Sequence, residues 1–245
     1  MKAKQYSFGK NHLAVGLVGV TVLTLSSLSN AAEIISTGHV DIGVAYEDGG
    51  WDLHVHNEDT DTEYEPGEAI LQLGSSTLTS IPADSRFSFL GTSGSPIYLL
   101  SSLGNPNQIL LGVAAEEVEP GVFVNDSLKL TLTAFSGPGA FHAYRVDGLT
   151  GNPLRAVSAA NGMPDAVHHV FDVLAQGHQD YNWAFTEQGD YKLTFRASGD
   201  LAGGGSSMSD EVVYQFQVVP EPSTLSLAAL GALIWLRSTR RRTDR

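Results

Sequence analysis

Two histidines separated by a single residue, His54 and His56, have the spacing in this sequence that most favours shared chemistry. Alternate side chains of an extended strand project from the same face, so both imidazoles would point the same way. Neutral imidazole nitrogens are good ligands for divalent transition metals. The pair therefore indicates a metal site on the face of a strand.

A second segment repeats this spacing with a histidine and a carboxylate. Two ligands from each of two strands would complete a four-coordinate site, and this donor set suits zinc, copper, manganese or iron. The chain has no cysteine, so a thiolate zinc site is excluded. The predicted metal ligands are His54, His56, His178 and Asp180.

Three further side chains are additional candidate ligands. His39 and Asp41 share one face of another predicted strand, and His142 belongs to a strand of its own. An interpretation without metal also stands, in which His54 and His56 line a solvated strand face beside acidic neighbours.

The run of carboxylates from Glu58 to Glu65 offers a different cation chemistry. Calcium takes six to eight oxygen ligands, which such a run is able to supply. The glycine of an EF-hand loop is absent from it, so we favour a solvated acidic loop.

Signatures of catalysis are missing from the sequence. It contains no Gly-x-Ser-x-Gly elbow, no His-Glu-x-x-His helix, no phosphate-binding loop and no cysteine nucleophile. Carboxylates are so plentiful that a pair of them identifies no glycosidase. We therefore predict that the protein is not an enzyme.

Short stretches of alternating apolar and polar residues recur along the chain, as expected for strands with one buried face. The strands predicted from this alternation are 39–46, 51–57, 128–135, 141–146, 191–197 and 212–218. Two continuous apolar runs, 97–100 and 109–113, are typical of strands buried on both faces. Together they predict an all-β fold, an immunoglobulin-like antiparallel β-sandwich.

Tyr191 enters one of the late strands directly after a Gly-Asp turn. This placement is typical of the tyrosine corner, in which the hydroxyl hydrogen-bonds back to the preceding backbone. The alternative is a tyrosine that is merely packed at the start of a strand.

The two ends of the chain have the character of export signals. Residues 1–31 combine lysines at the start, an apolar stretch over 13–25 and small residues before Ala32, which predicts a signal peptide cut by signal peptidase. At the other end, Pro220, Glu221 and Pro222 precede an apolar segment, 225–236, and a cluster of arginines.

This C-terminal arrangement over 220–245 resembles the PEP-CTERM sorting signal. The resemblance implies transient insertion of 225–236 as a transmembrane helix in the inner membrane, with the arginines on the cytoplasmic side. It also implies recognition by an exosortase, cleavage near the motif, and release to the cell surface or extracellular matrix of a Gram-negative bacterium.

The region between the signals, 32–219, is strongly acidic. It holds six of the 14 lysines and arginines but 25 of the 27 aspartates and glutamates, a formal charge of −19. Such a surface repels nucleic acid and attracts cations, including those bound to extracellular polysaccharide. Its length suits one domain with a single core.

Two segments of this domain, 38–56 and 181–195, carry a pattern that resembles the choice-of-anchor M domain family of bacterial surface proteins. The intervening 64–68 and 141–144 also fit the pattern. Relatives commonly have His-x-His at the position where this chain has His178 and Asp180, so an aspartate replaces the second histidine. Relatives also occur beside metal-type transport systems. The resemblance thus implies metal or cofactor handling at the surface.

These observations predict an exported, surface-sorted, non-enzymatic β-sandwich protein that binds a divalent transition metal, or a ligand bearing one, through its histidines. The alternative is a structural or adhesive module of the extracellular matrix with no specific metal site.

Overall fold

The computed structural model describes residues 31–219, which form seventeen β-strands and four short 3-10 turns. The strands are β1 (Glu33–Ile35), β2 (Gly38–Glu47), β3 (Gly50–Asn57), β4 (Thr62–Tyr64), β5 (Ala69–Leu73), β6 (Leu78–Ser80), β7 (Pro96–Leu100), β8 (Ile109–Ala114), β9 (Ser127–Ser136), β10 (Phe141–Val146), β11 (Pro153–Ala160), β12 (Met163–Leu174), β13 (His178–Asp180), β14 (Asn182–Phe185), β15 (Gly189–Asp200), β16 (Ser206–Met208) and β17 (Val212–Val218). The 3-10 turns are Pro66–Glu68, Ser75–Thr77, Ser85–Leu90 and Val124–Asp126.

The strands form two sheets. The larger, twelve-stranded sheet curls and has the order β1-β5-β17-β15-β9-β12-β11-β10-β14-β7-β6, with β16 paired to β15. The smaller sheet has five strands in the order β13-β8-β2-β3-β4. Its apolar side chains, such as Val40 and Ile42, share one core with Trp183 and Phe216 of the larger sheet. The prediction of an all-β, sandwich-like fold is therefore confirmed.

Most of the strand pairs are antiparallel, as predicted, but three pairs within residues 31–219 are parallel. These are β1 with β5, β5 with β17, and β2 with β8. Each parallel pair joins strands separated by a long stretch of chain, which a parallel connection requires. The β2–β8 pair matters most, because it sets which side chains meet on the smaller sheet.

The predicted tyrosine corner is present. The Tyr191 hydroxyl donates a hydrogen bond to the Glu187 carbonyl oxygen at 2.8 Å and accepts one from the Glu187 N–H at 3.2 Å. The ring is almost fully buried and lies against Gly137, where a Cβ would come within 2.1 Å of it. A glycine is needed there because backbone and ring approach too closely for any side chain.

The predicted signal peptide, the sorting motif and the apolar segment 225–236 lie outside the described residues, apart from Ala31. Within residues 31–219, no helix is long and apolar enough to cross a membrane.

Candidate metal centre

One face of the smaller sheet is polar, and the alternation of its strands explains why. Val40 and Ile42 of β2 point into the core, so His39 and Asp41 project from the opposite face. We call this the polar face and define it by six side chains. They are His39, Asp41, His54, His56, His178 and Asp180.

The register of three strands brings two pairs of these side chains together. Asp41 of β2 lies opposite Gly112 of β8, and Gly112 lies opposite Asp180 of β13. A row of Asp41, Gly112 and Asp180 therefore crosses the sheet. His39 and His178 are each two residues away along their strands, on the same face.

The four polar side chains of this arrangement form a compact group, which we call the four-residue site: His39, Asp41, His178 and Asp180. One ligand atom from each lies within 4.8 Å of all the others. His178 Nε2 is 3.0 Å from Asp41 Oδ1 and 3.1 Å from His39 Nε2. Asp180 Oδ1 is 3.5 Å from His39 Nε2 and 3.6 Å from His178 Nε2.

Gly112 lets these ligand atoms come close to the backbone of β8. A Cβ built on Gly112 would lie 2.1 Å from Asp41 Oδ1, 2.6 Å from His178 Nε2 and 3.2 Å from Asp180 Oδ1. Any side chain larger than hydrogen at this position would overlap two of the candidate ligands, so a glycine is needed for the four side chains to converge here.

The electrostatics of the four-residue site favour a cation. Asp41 is only 1% exposed, and burial raises its pKa from 3.8 to about 6, although the neighbouring His178 and His39 act in the opposite direction. Asp41 Oδ2 and Asp180 Oδ1 are buried without a hydrogen-bond partner within the described residues. A buried carboxylate oxygen without a partner is costly, and a bound cation would offset that cost.

The other two histidines of the polar face do not join this site. His54 and His56 do project from the same face of β3, with ring centroids 6.3 Å apart, as their spacing predicts. However, β8 and β2 lie between β13 and β3, so the backbones of β13 and β3 are about 14 Å apart. The structure therefore groups His178 and Asp180 with His39 and Asp41 on β2, and not with His54 and His56 on β3.

His142 belongs to the larger sheet and is also separate from the polar face. Its Nδ1 is 3.0 Å from Ser158 Oγ, and its ring packs edge-on against Phe89. Burial, helped by the positive charge of Arg155, lowers the pKa of His142 to about 4. His142 is thus a buried, neutral histidine that lies apart from the other candidate ligands.

The acidic run from Glu58 to Glu65 forms the turn between β3 and β4 and strand β4 itself. Glu58 Oε1 lies 3.0 Å from His56 Nδ1, and the exposed Asp61 lies 3.6 Å from His56 Nε2. Glu63 instead groups with His54 and Glu117. Nothing in the sequence distinguishes Glu117 from other glutamates, because only the fold brings it back to β3.

Comparison with known proteins identifies the sorting signal. The PEP-CTERM protein-sorting motif matches residues 218–242, a span that includes Pro220, Glu221 and Pro222. The chain is therefore an exported, cell-surface protein, and the match supports exosortase as a partner, since exosortases recognise this motif. No curated protein and no solved structure matches the chain. The resemblance to the choice-of-anchor M family remains a prediction.

Proposed function

We propose that the exported domain binds one divalent transition metal ion at the four-residue site. The observation that carries this proposal is the convergence of two imidazole nitrogens and two carboxylate oxygens over Gly112, with one ligand atom from each residue within 4.8 Å of the others. Without a cation, two carboxylates face each other there with buried oxygens that lack partners. A metal ion would satisfy them together.

The donor set narrows the choice of metal. Two nitrogens and two oxygens, without sulfur, suit zinc, copper or manganese. Asp41 is buried, whereas the side chains of His39, His178 and Asp180 are each between 24% and 32% exposed. An ion held on the buried Asp41 would therefore face solvent on its other side, where a water or an external ligand completes the coordination.

The role we propose is binding, not catalysis. The strongly acidic domain attracts cations to the cell surface, and the four-residue site would select among them. The resemblance to choice-of-anchor M proteins, whose relatives occur beside metal transport systems, agrees with metal handling. Signal peptidase, transient insertion of 225–236 into the inner membrane, and association with extracellular polysaccharide belong to the same proposal.

Isothermal titration of residues 32–219 with zinc, copper and manganese tests the proposal. The shared core lies within this span, so the fragment should fold alone. We expect one tight site per chain, lost when His39 and His178 are both changed to alanine. His168→Ala, on β12 of the other sheet, is the matched control and should bind normally. Identical isotherms for all three proteins would instead favour the structural or adhesive matrix module.

A further inference from the structure

A second group of potential ligands lies on the same side of the smaller sheet, beyond the four-residue site. It consists of His54 on β3, Glu63 on β4 and Glu117 in the turn after β8, each offering one atom within 4.8 Å of the others. His54 Nε2 is 3.4 Å from Glu117 Oε1. The three residues come from different parts of the chain, so the fold assembles this group.

His54 is held in place, and one of its two ring nitrogens lacks a partner. Its side chain is only 5% exposed, and its Nδ1 is buried without a hydrogen bond within the described residues. The ring lies over Gly43, where a Cβ would come within 2.1 Å of Nε2. A buried ring nitrogen without a hydrogen bond is destabilising. The other nitrogen, Nε2, faces Glu117 and is the one available to an ion.

A small cavity adjoins this histidine and gives access to solvent. Its volume is about 90 Å³, and it is lined by Gly43, His54, His56, Glu116 and Glu117 among others. Glu117, which lines the cavity, and Glu63 are both exposed. The cavity is thus large enough for an ion with water, and a water needs only about 30 Å³.

We propose that His54, Glu63 and Glu117 form a second, weaker site for a divalent cation. One imidazole and two carboxylates suit manganese or zinc, with water in the remaining positions. The site is weaker than the four-residue site because its two carboxylates are exposed and must be ordered when the ion binds. The two sites share no ligand, so this inference does not depend on the proposed function.

Titration of the mature protein with manganese(II), followed by the electron paramagnetic resonance signal of the free ion, tests the second site. It is best performed on the His39→Ala, His178→Ala double variant, in which the four-residue site is removed. We expect one remaining site per chain, and Glu117→Gln should weaken it by at least about tenfold, since a charged ligand is lost. Failure of the proposed function would leave this result unchanged.

Glu116→Gln provides the matched control. It removes the same charge from the neighbouring residue in the same cavity, but Glu116 is not one of the three ligands. We expect the control to bind manganese within about twofold of its parent, because the long-range electrostatic effect of one exposed charge is small. Equal losses in the two variants, or no binding in the double variant, would overturn the second site.

Discussion

Replacing Gly112 with alanine should prevent metal binding at the four-residue site. The added methyl group would lie 2.1 Å from Asp41 Oδ1 and 2.6 Å from His178 Nε2, so it would push both of these ligands out of position. Gly112 lies in β8 and does not have a positive φ, so the backbone itself accepts alanine. The substitution therefore acts on the site through space and changes no ligand.

The size of the effect follows from linkage between binding and folding. At a free metal concentration about 100 times the Kd, binding stabilises the native state by about 2.7 kcal/mol. In a domain of this size, each kcal/mol raises Tm by about 2–4 °C. The wild-type protein should thus gain roughly 5–10 °C on adding metal, and Gly112→Ala should gain almost nothing.

Thermal unfolding with and without zinc measures this difference. Because the readout is the shift caused by metal, any change in the stability of the metal-free variant cancels. Gly74→Ala is the matched control, since Gly74 is extended and a Cβ there has no neighbour within 4 Å. The reasoning would be refuted if Gly112→Ala kept the full metal-dependent shift of the control.

Three further predictions concern the corner, the buried carboxylate and the tail. Tyr191→Phe removes two hydrogen bonds and should lower the free energy of unfolding by about 1–2 kcal/mol in urea denaturation. Tyr46→Phe is its control, because the Tyr46 hydroxyl makes no hydrogen bond within residues 31–219, and equal losses would contradict the corner. Burial raises the pKa of Asp41 to about 6, so between about pH 4 and 6 the metal-free native state holds a proton that the unfolded state releases. The free energy of unfolding of the wild type should therefore fall as pH rises through this window, whereas Asp41→Asn should not show this decrease. Parallel stability profiles for the two proteins would contradict the raised pKa of Asp41. Mass spectrometry of surface material from cells with an exosortase should find the protein without its C-terminal arginines, and an intact Arg245 would contradict processing.

Local patterns in the sequence predict eight of the seventeen strands and the tyrosine corner. The alternation over 141–146 and 212–218 coincides with β10 and β17, because each strand has one face in the core. β12 escaped prediction because its alternation is interrupted. The Asp165 carboxylate accepts hydrogen bonds from the N–H groups of Val167 and His168, and Val167 is exposed.

The composition of the metal site depends on long-range pairing that no local pattern reveals. The spacing of His178 and Asp180 correctly indicated that both project from one face, but their partners depend on the strand order. The parallel pair of β2 and β8, and the short β13 at the edge, place them over Gly112 and next to His39 and Asp41. The local sequence around Gly112 does not indicate that this glycine lies beneath the four candidate ligands.

Anomalous X-ray diffraction from crystals grown with zinc tests the central claim most directly, because it locates the ion itself. We predict a strong peak above Gly112, within about 2.0–2.2 Å of Asp41 Oδ1 and His178 Nε2. The absence of that peak at saturating zinc, or a peak held by His54 and His56 alone, would contradict the proposed site.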